Sequence, residues 1–209
     1  MKDESIVIVD YGMGNLGSIQ NMLKKIGRQP VISADIPVIE KADKLILGGV
    51  GAFDNAMTKL NELKLVEILN RKVLHEEVPV LGICLGMQLL TRSSEEGRLP
   101  GFGWIDAATY RFNFENGNGK LKVPHMGWNS VEMKKQNVLF EDICDEPRFY
   151  FVHSYHLAAD QEEDVVSTTD YGYPFTSVVN KKNIFGVQFH PEKSHKYGMK
   201  LLQNFMERV

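Results

Sequence analysis

Residues 78–90 read Val-Pro-Val-Leu-Gly-Ile-Cys-Leu-Gly-Met-Gln-Leu-Leu. Residues 80–83 form an apolar run that is short enough for a buried strand, and residues 85–90 can open a helix. Cys84 lies at the junction, with one glycine two residues before it and another two residues after it. A chain that passes from strand to helix within about one turn strains the junction residue and needs neighbours almost without side chains. The spacing therefore predicts a nucleophile elbow that holds the Cys84 thiol above the carboxyl end of a sheet.

A cysteine in such a place can also be an ordinary buried strand residue, so catalysis needs a base as further support. The segment Gly186-Val-Gln-Phe-His-Pro-Glu-Lys-Ser194 supplies His190 and Glu192, two residues apart at the end of a predicted strand. Imidazole can take a thiol proton near neutral pH, and a carboxylate on its other nitrogen fixes the tautomer. His190 alone could cap a turn before a proline, and Glu192 alone could favour a helix N-terminus. Together with Cys84, they predict a Cys-His-Glu catalytic triad.

A glycine-rich segment, Gly48-Gly-Val-Gly-Ala-Phe53, follows a predicted strand and opens a helix. Its backbone can turn the N–H groups of Val50 and Gly51 toward a developing oxyanion, together with the N–H of Leu85 after the nucleophile. An ordinary strand-to-helix turn would have the same local sequence. The first two glycines allow more than one backbone conformation, so we expect this oxyanion hole to be unformed in the resting protein.

Composition limits the classes of function. The 209 residues are 43% hydrophobic and 24% charged, as in an ordinary globular protein of one domain. A net charge of −3 argues against nucleic-acid binding, and no apolar run approaches the length of a membrane span. The N-terminus leads directly into a strand rather than a signal region, and Cys84 and Cys144 form no disulfide or zinc pattern. We therefore expect a cytoplasmic protein with free thiols, no metal and no cofactor.

Strands and helices alternate through the first half of the chain. Apolar and β-branched runs predict strands, and segments of helical periodicity that end near glycine or polar residues predict helices. The predicted strands are residues 5–9, 30–33, 44–47 and 80–83, and the predicted helices are residues 16–26, 53–60 and 65–75. This order implies a parallel sheet with right-handed crossovers.

Short strands and hairpin signals dominate after about Gly97. The sequence predicts strands at residues 120–123, 129–133, 148–152, 165–169, 176–180 and 184–189, turns at 116–119 and 170–174, and a last helix at 194–207. The predicted fold class is α/β, with a mixed, mainly parallel central sheet flanked by helices and an antiparallel-rich second half. We expect a single domain over residues 1–209.

One motif favours a different class of function. Gly12-Met-Gly-Asn-Leu-Gly17 follows a strand and precedes a helix, and Asp35 lies about where a ribose-binding acid would. This is the fingerprint of a dinucleotide site. Asp10 and Tyr11 separate the strand from the first glycine, which puts an anion near where the pyrophosphate would approach. A non-catalytic dinucleotide-binding module is therefore kept as an alternative.

The motifs together resemble a known family. Gly82-Ile-Cys-Leu-Gly-Met-Gln88 and His190-Pro-Glu192 are similar to the class I, triad-type glutamine amidotransferases. The resemblance is closest to the glutaminase subunits of imidazole glycerol phosphate synthase, and it runs from end to end. The further segments that carry it are residues 10–16, 49–51, 94–97, 125–129, 153–155 and 189–194.

The resemblance implies a reaction and its residues. Cys84 would attack the side-chain amide of glutamine, His190 would move the proton, and Glu192 would orient His190. A glutamyl thioester would form and be hydrolysed to glutamate, with release of ammonia. The residues implied to bind the glutamine are Gly51, Gln88, Ser154 and Tyr155.

The resemblance also implies a partner. A cyclase subunit with a (βα)8 barrel would form a heterodimer with the glutaminase and use the ammonia in histidine biosynthesis. Such glutaminases are nearly idle until the partner binds its acceptor. The residues expected to face the partner are Asn15, Gly49, Val50, Trp128, Asn129 and Lys193.

Two positions and one segment depart from the family pattern. Gly48 stands where the family usually has proline before Gly-Val-Gly, and Gly17 stands where it commonly has arginine. Residues 101–107 read Gly-Phe-Gly-Trp-Ile-Asp-Ala rather than Gly-Leu-Gly-Leu-Ile-Pro-Gly. A glycine in place of proline leaves the oxyanion segment freer to change conformation. These departures favour a paralogous branch that supplies ammonia for amidated sugars of surface polysaccharide, which stays an alternative to the histidine pathway.

Overall fold

The computed structural model describes residues 4–114, 121–143 and 146–209. Strands and helices alternate in the first half of the chain, and strands dominate the second half. The strands are β1 Ile6–Val9, β2 Val31–Ser33, β3 Lys44–Gly49, β4 Val80–Cys84, β5 Ser93–Ser94, β6 Ala107–Arg111, β7 His125–Ser130, β8 Glu132–Met133, β9 Arg148–His153, β10 Tyr155–Ala159, β11 Val165–Asp170, β12 Pro174–Lys181 and β13 Ile184–Val187. The α-helices are α1 Leu16–Lys25, α2 Ile36–Glu40, α3 Phe53–Glu62, α4 Leu65–Asn70, α5 Leu85–Leu89 and α6 His195–Arg208.

One large sheet combines strands from both halves of the chain. Its order is β2-β1-β3-β4-β13-β12-β10-β6-β5, with β11 paired to β12 and β8 paired to β11. Neighbouring strands are parallel from β2 to β13 and antiparallel from β13 through β12 and β10 to β6. β7 and β9 form a separate antiparallel pair. The predicted α/β class, with its mixed sheet and antiparallel-rich second half, is confirmed, whereas the single domain over residues 1–209 stays a prediction.

The centre of the large sheet brings the chemical motifs together. Every residue of β1, β3, β4 and β13 is buried, as expected for parallel strands that helices cover on both faces. Gly49 at the end of β3 pairs with Cys84 at the end of β4, and Val187 at the end of β13 pairs with Ile83. The glycine-rich segment after β3 and the histidine segment after β13 therefore emerge on either side of Cys84.

Two strand predictions are wrong at their bounds, and a third predicted strand is absent from its described residues. The strand predicted at 129–133 is broken at Val131 because the chain leaves β9 and joins β11 in the other sheet. The strand predicted at 184–189 ends at Val187, where pairing with β4 ends. Residues 121–123 form no strand, and Lys120 and the turn predicted at 116–119 lie outside the described residues.

One turn prediction is confirmed, and one predicted helix changes from α-helical to π-helical along its length. The turn at 170–174 is confirmed, because Asp170 pairs with Pro174 across β11 and β12. The helix predicted at 65–75 ends its α-helical part at Asn70 and continues as a π-helical turn. The sequence reasoning missed α2, β5, β6 and β10. Every helix among the described residues is too short or too polar to span a membrane.

Two glycines allow the elbow to form. A Cβ on Gly86 would lie 1.7 Å from the carbonyl oxygen of Leu47 in β3. A Cβ on Gly82 would lie 2.8 Å from the carbonyl carbon and oxygen of Gly86. Since real Cβ atoms essentially never approach other atoms below 3.0 Å, the first turn of α5 rests directly on the backbone of β3 and β4. The elbow therefore requires glycine on both sides of Cys84.

We expect Gly86→Ala to lower the free energy of unfolding by about 3 kcal/mol or more, because the new methyl group would overlap backbone that cannot rotate away. Gly17→Ala in α1 is the matched control, since the atom nearest to its new Cβ is an asparagine side-chain oxygen at 3.3 Å. That change should be neutral or stabilise by up to about 1 kcal/mol through helix propensity. Chemical denaturation measures both, and equal effects at the two positions would contradict this account of the elbow.

Candidate active site

The chain leaves β4 at Cys84 in a strained backbone conformation. Its φ is 54° and its ψ is −108°, which places a residue with a side chain in the left-handed region at a cost of about 1–3 kcal/mol. The helix α5 begins at the next residue, Leu85, so the N-terminal end of α5 lies beside the thiol. The Cys84 side chain is nearly buried, at 5% exposure. The structure therefore has the predicted elbow at the predicted residue.

His190 and Glu192 form a buried pair next to this thiol. Nδ1 of His190 lies 2.7 Å from Oε1 of Glu192, and both side chains are almost fully covered. Burial lowers the pKa of His190, but its interactions with Cys84 and Glu192 outweigh burial and raise that pKa to about 9. Nε2 of His190 has no hydrogen-bond partner among the described residues. The ring thus lies close enough to Cys84 to feel its charge, with Nε2 still available to a proton that moves during a reaction.

Hydrogen bonds to backbone atoms hold the segment that carries His190 and Glu192. The N–H of His190 donates to the carbonyl oxygen of Tyr150 in β9 at 2.9 Å. The Ser194 hydroxyl donates to the His190 carbonyl oxygen at 2.6 Å and accepts from the N–H of Tyr150 at 3.0 Å. Because the segment is fixed at both ends, the imidazole ring has a defined place beside the elbow.

Cys84 faces a cavity of about 240 Å³. The cavity collects every residue that the sequence reasoning assigned to the oxyanion hole or to glutamine. Its lining residues are Val50, Gly51, Cys84, Leu85, Gln88, Glu96, Pro124, Val152, His153, Ser154 and Tyr155. Gly51 has a φ of 139°, a conformation that favours glycine. The roles of these residues stay predictions, but their shared position around one thiol is what those roles require.

Two buried histidines support the wall that carries Ser154 and Tyr155. Nδ1 of His153 lies 2.8 Å from the carbonyl oxygen of Tyr155, which can only accept, so this nitrogen bears the proton. Nε2 of His153 then accepts from Nδ1 of His125 at 3.0 Å. Burial lowers the pKa of His125 to about 4 and lowers the pKa of His153 well below its ordinary value. Both rings are therefore neutral at pH 7 and act as hydrogen-bonding supports.

A second, smaller cavity of about 140 Å³ adjoins His190 and Glu192. Asn15, Gly49 and Lys193, three of the residues expected to face a partner, line it. Val50 also lines it, lines the first cavity as well, and is 47% exposed. The segment that separates the two cavities is therefore the same glycine-rich segment that was predicted to form the oxyanion hole.

Trp128 and Asn129, also expected to face a partner, point in different directions because they are neighbours in β7. The Trp128 ring is 39% exposed and stacks on His195, with 5.5 Å between the ring centroids. The Asn129 side-chain nitrogen lies 2.8 Å from the carbonyl oxygen of Asp170 and 3.3 Å from Nε2 of His125. Trp128 thus offers an exposed ring, whereas the Asn129 side chain is engaged inside the protein.

The sequence reasoning missed two side chains at the site. Gln188 lies between the end of β13 and His190, is fully buried, and points Nε2 at the Cys84 sulfur from 3.8 Å. Glu96 lines the larger cavity and accepts the N–H of Phe53 at the start of α3. Gln188 could have been found from its alternation with His190, because residues two apart in an extended segment point to the same side.

The glycine loop at residues 12–17 is already occupied by the protein itself. The Asp10 carboxylate accepts the N–H of Gly12 at 3.0 Å, and a Cβ on Gly14 would lie 2.8 Å from the backbone nitrogen of Val50. The loop therefore packs at Gly14 on the Gly49–Val50 peptide of the glycine-rich segment.

The chain is similar to known proteins over nearly its whole length. The family Glutamine amidotransferase class-I matches residues 7–209. Imidazole glycerol phosphate synthase subunit HisH 2 of Methanococcus maripaludis is 56% identical over 204 residues, covering 98% of this chain and 100% of that protein. The subunit of the same name from Pseudomonas aeruginosa is 47% identical over 204 residues, with the same shares covered.

Solved structures share the fold at low sequence identity. A glutamine amidotransferase from Thermotoga maritima has a TM-score of 0.65 at 20% identity and covers 99% of this chain and 84% of that chain. Another glutamine amidotransferase has a TM-score of 0.73 at 17% identity and covers 96% of this chain and 97% of that chain. The chain belongs to the class-I glutamine amidotransferase family, which confirms the resemblance that its motifs carry. The relatives do not favour the sugar-amidating branch or the dinucleotide-binding module.

We expect an NMR titration to give His190 a pKa of about 9, and a lower pKa in both Glu192→Gln and Cys84→Ala, because each variant removes an interaction that raises it. The protonated ring stabilises the folded state fully below the ordinary pKa of 6.5, and this stabilisation is lost as the pH rises through about 9. The stability difference between the wild type and Glu192→Gln should therefore shrink above that pH.

His125 is the internal reference for this titration, because its pKa of about 4 keeps its ring neutral over the same range. A wild-type His190 that titrates below pH 7, or a His190 pKa that is the same in the wild type as in the two variants, would contradict the assignment of the pair.

Proposed function

We propose that this protein is the glutaminase subunit of an imidazole glycerol phosphate synthase, which hydrolyses glutamine to glutamate and delivers ammonia to a cyclase subunit in histidine biosynthesis. The observation that carries the proposal is the strained Cys84 thiol, which faces a cavity beside the His190–Glu192 pair. The proposal is supported by a chain 56% identical to a subunit of that name over its full length.

The proposed chemistry uses the three side chains in sequence. His190, whose pKa of about 9 keeps its ring protonated at pH 7, holds the proton, and the Cys84 sulfur reacts as the thiolate and forms a bond to the side-chain amide carbon of glutamine. The carbon–nitrogen bond then breaks, and the protonated His190 gives its proton to the departing ammonia. A water molecule, which loses a proton to His190, hydrolyses the thioester and releases glutamate and the free thiol. Glu192 holds the ring and balances its positive charge throughout.

The larger cavity suits a small substrate. Its volume of about 240 Å³ is below the roughly 300–1,000 Å³ of pockets for cofactors and drug-sized ligands. Gln88, Ser154 and Tyr155 line the wall beside Cys84 and are the residues proposed to hold the amino acid. The N–H groups of Val50, Gly51 and Leu85 are the proposed donors to the oxyanion of the tetrahedral intermediate.

The proposed partner is a cyclase subunit with a (βα)8 barrel, bound as a heterodimer over the smaller cavity and the exposed Trp128 ring. Val50 is exposed and lines both cavities, so a partner that contacts it also contacts the proposed oxyanion segment. That arrangement supports the expectation of low activity in the isolated subunit. A cytoplasmic location stays a prediction.

We expect Cys84→Ser to abolish glutamine hydrolysis, because the serine hydroxyl remains protonated where a thiolate is required. The assay measures glutamate released by the purified protein, alone and with a cyclase barrel subunit from the same genome. The mixed complex of Cys84→Ser should still use free ammonium as well as the wild-type complex does. Retained glutamine hydrolysis by Cys84→Ser would refute the triad, and full wild-type turnover without the barrel would refute the resting-state proposal.

We expect Trp128→Ala to weaken binding of the barrel subunit by about 2 kcal/mol, roughly thirtyfold, because exposed tryptophans are often the anchors of interfaces. Isothermal titration calorimetry measures the affinity. Tyr110→Ala is the matched control, since Tyr110 is a 44% exposed aromatic on β6, near the opposite edge of the large sheet from β2. If the two variants bind the barrel equally well, the partner surface lies elsewhere.

A further inference from the structure

We propose that Gln188 is a further catalytic residue, whose side-chain N–H donates a hydrogen bond to the Cys84 sulfur and stabilises the thiolate. The inference rests on the proposed glutaminase function and extends it to a side chain that makes direct contact with the reacting atom. Nε2 of Gln188 lies 3.8 Å from the Cys84 sulfur.

The neighbouring hydrogen bonds decide which end of the Gln188 amide faces the Cys84 sulfur. The carbonyl oxygen of Tyr155 can only accept, so the Gln88 atom that lies 3.0 Å from it is Nε2. The same Nε2 lies 3.2 Å from Gln188, whose facing atom must then be the acceptor Oε1. The other end of the Gln188 amide, Nε2, therefore faces Cys84. A reversed Gln188 would place two amino groups against each other and leave its oxygen against the sulfur.

Burial strengthens the hydrogen bonds that run from the Tyr155 carbonyl oxygen through the Gln88 and Gln188 amides to the Cys84 sulfur. It also holds the two amides in place. Gln188 is 0% exposed and Gln88 is 5% exposed, so no bulk water competes for their hydrogen bonds. Burying a primary amide without hydrogen-bond partners would cost free energy. Here the Gln88 and Gln188 amides both make the hydrogen bonds described above. The backbone N–H of Gln188 also donates to the carbonyl oxygen of Ser177 at 2.9 Å, which anchors the residue to β12.

A carbonyl oxygen close to the Cys84 sulfur explains why the thiolate needs a hydrogen-bond donor. The carbonyl oxygen of Val152 lies 3.9 Å from the Cys84 sulfur and can accept from the thiol proton. Once that proton leaves, the carbonyl dipole faces a negative sulfur, which is unfavourable. The Gln188 N–H compensates on the other side, and it does so again when the thioester breaks and the sulfur becomes the leaving group.

The test is alkylation of Cys84 by iodoacetamide in the isolated protein, measured by mass spectrometry as a function of pH. Gln188→Met keeps the side-chain length but has no donor, and we expect its alkylation at pH 7 to be roughly tenfold slower, as for loss of a hydrogen bond to a charged group. At high pH, where the thiol is ionised in every variant, the rates should converge. The thiol of Cys144 in the same sample is the internal reference for reagent and pH.

Ser177→Ala is the matched control. It removes the buried hydrogen bond of 2.9 Å between the Ser177 and Ser167 hydroxyls beside Gln188, without contact to the sulfur. We expect its alkylation profile to match the wild type. An unchanged profile in folded Gln188→Met would overturn the inference.

Gln188→Leu provides a second route if Gln188→Met does not fold. It is similar in size and has no hydrogen-bonding group, so alkylation at pH 7 should again be roughly tenfold slower, and an unchanged rate would overturn the inference as well. The assay needs neither glutamine nor a partner. The inference can therefore fail while Cys84→Ser still abolishes hydrolysis, and the proposed function can fail while the alkylation profile still shifts.

Discussion

The contact between the first turn of α5 and the backbone of β3 is the constraint on which the rest of the structure depends. Gly86 rests against the carbonyl group of Leu47, at a distance that excludes any side chain. Because α5 starts this close to the sheet, the chain must turn sharply at Cys84, and the turn is possible only in the left-handed backbone region. The same closeness sets the ends of β3, β4 and β13 side by side, so that segments from three distant parts of the sequence surround one thiol.

The groups around that thiol divide into a charged side and a neutral side. On one side, interactions with Cys84 and with the Glu192 carboxylate raise the pKa of His190 to about 9. On the other side, neutral amides and imidazoles are ordered by the carbonyl oxygen of Tyr155, which accepts from both His153 and Gln88. Two acceptor positions on a single backbone oxygen thus fix the orientation of several buried side chains. A polar wall of this kind can be rigid without carrying net charge.

The sequence predicted the centre of the fold better than its periphery, for physical reasons. Buried parallel strands are continuous apolar runs, and the elbow around Cys84 has a glycine spacing that few other structures need, so both were recognisable. β6 and β10 were missed because they pair mainly with each other across a long sequence separation, and α2 is too short to have a period. The spacing of Gln188 from His190 could have placed it on the same side of the chain, but its role depends on partners that only the tertiary structure brings together.

The strained backbone at Cys84 has a consequence for how this protein can change over generations. Glycine would adopt the same φ without strain, so a chain under selection for stability alone would gain by losing its cysteine. A gene copy released from its catalytic duty is therefore expected to drift toward glycine or another tolerant residue at this position, while the surrounding glycines, which serve packing, persist. The identity of residue 84 then records whether a descendant is still an enzyme, independently of how well the rest of its fold is preserved.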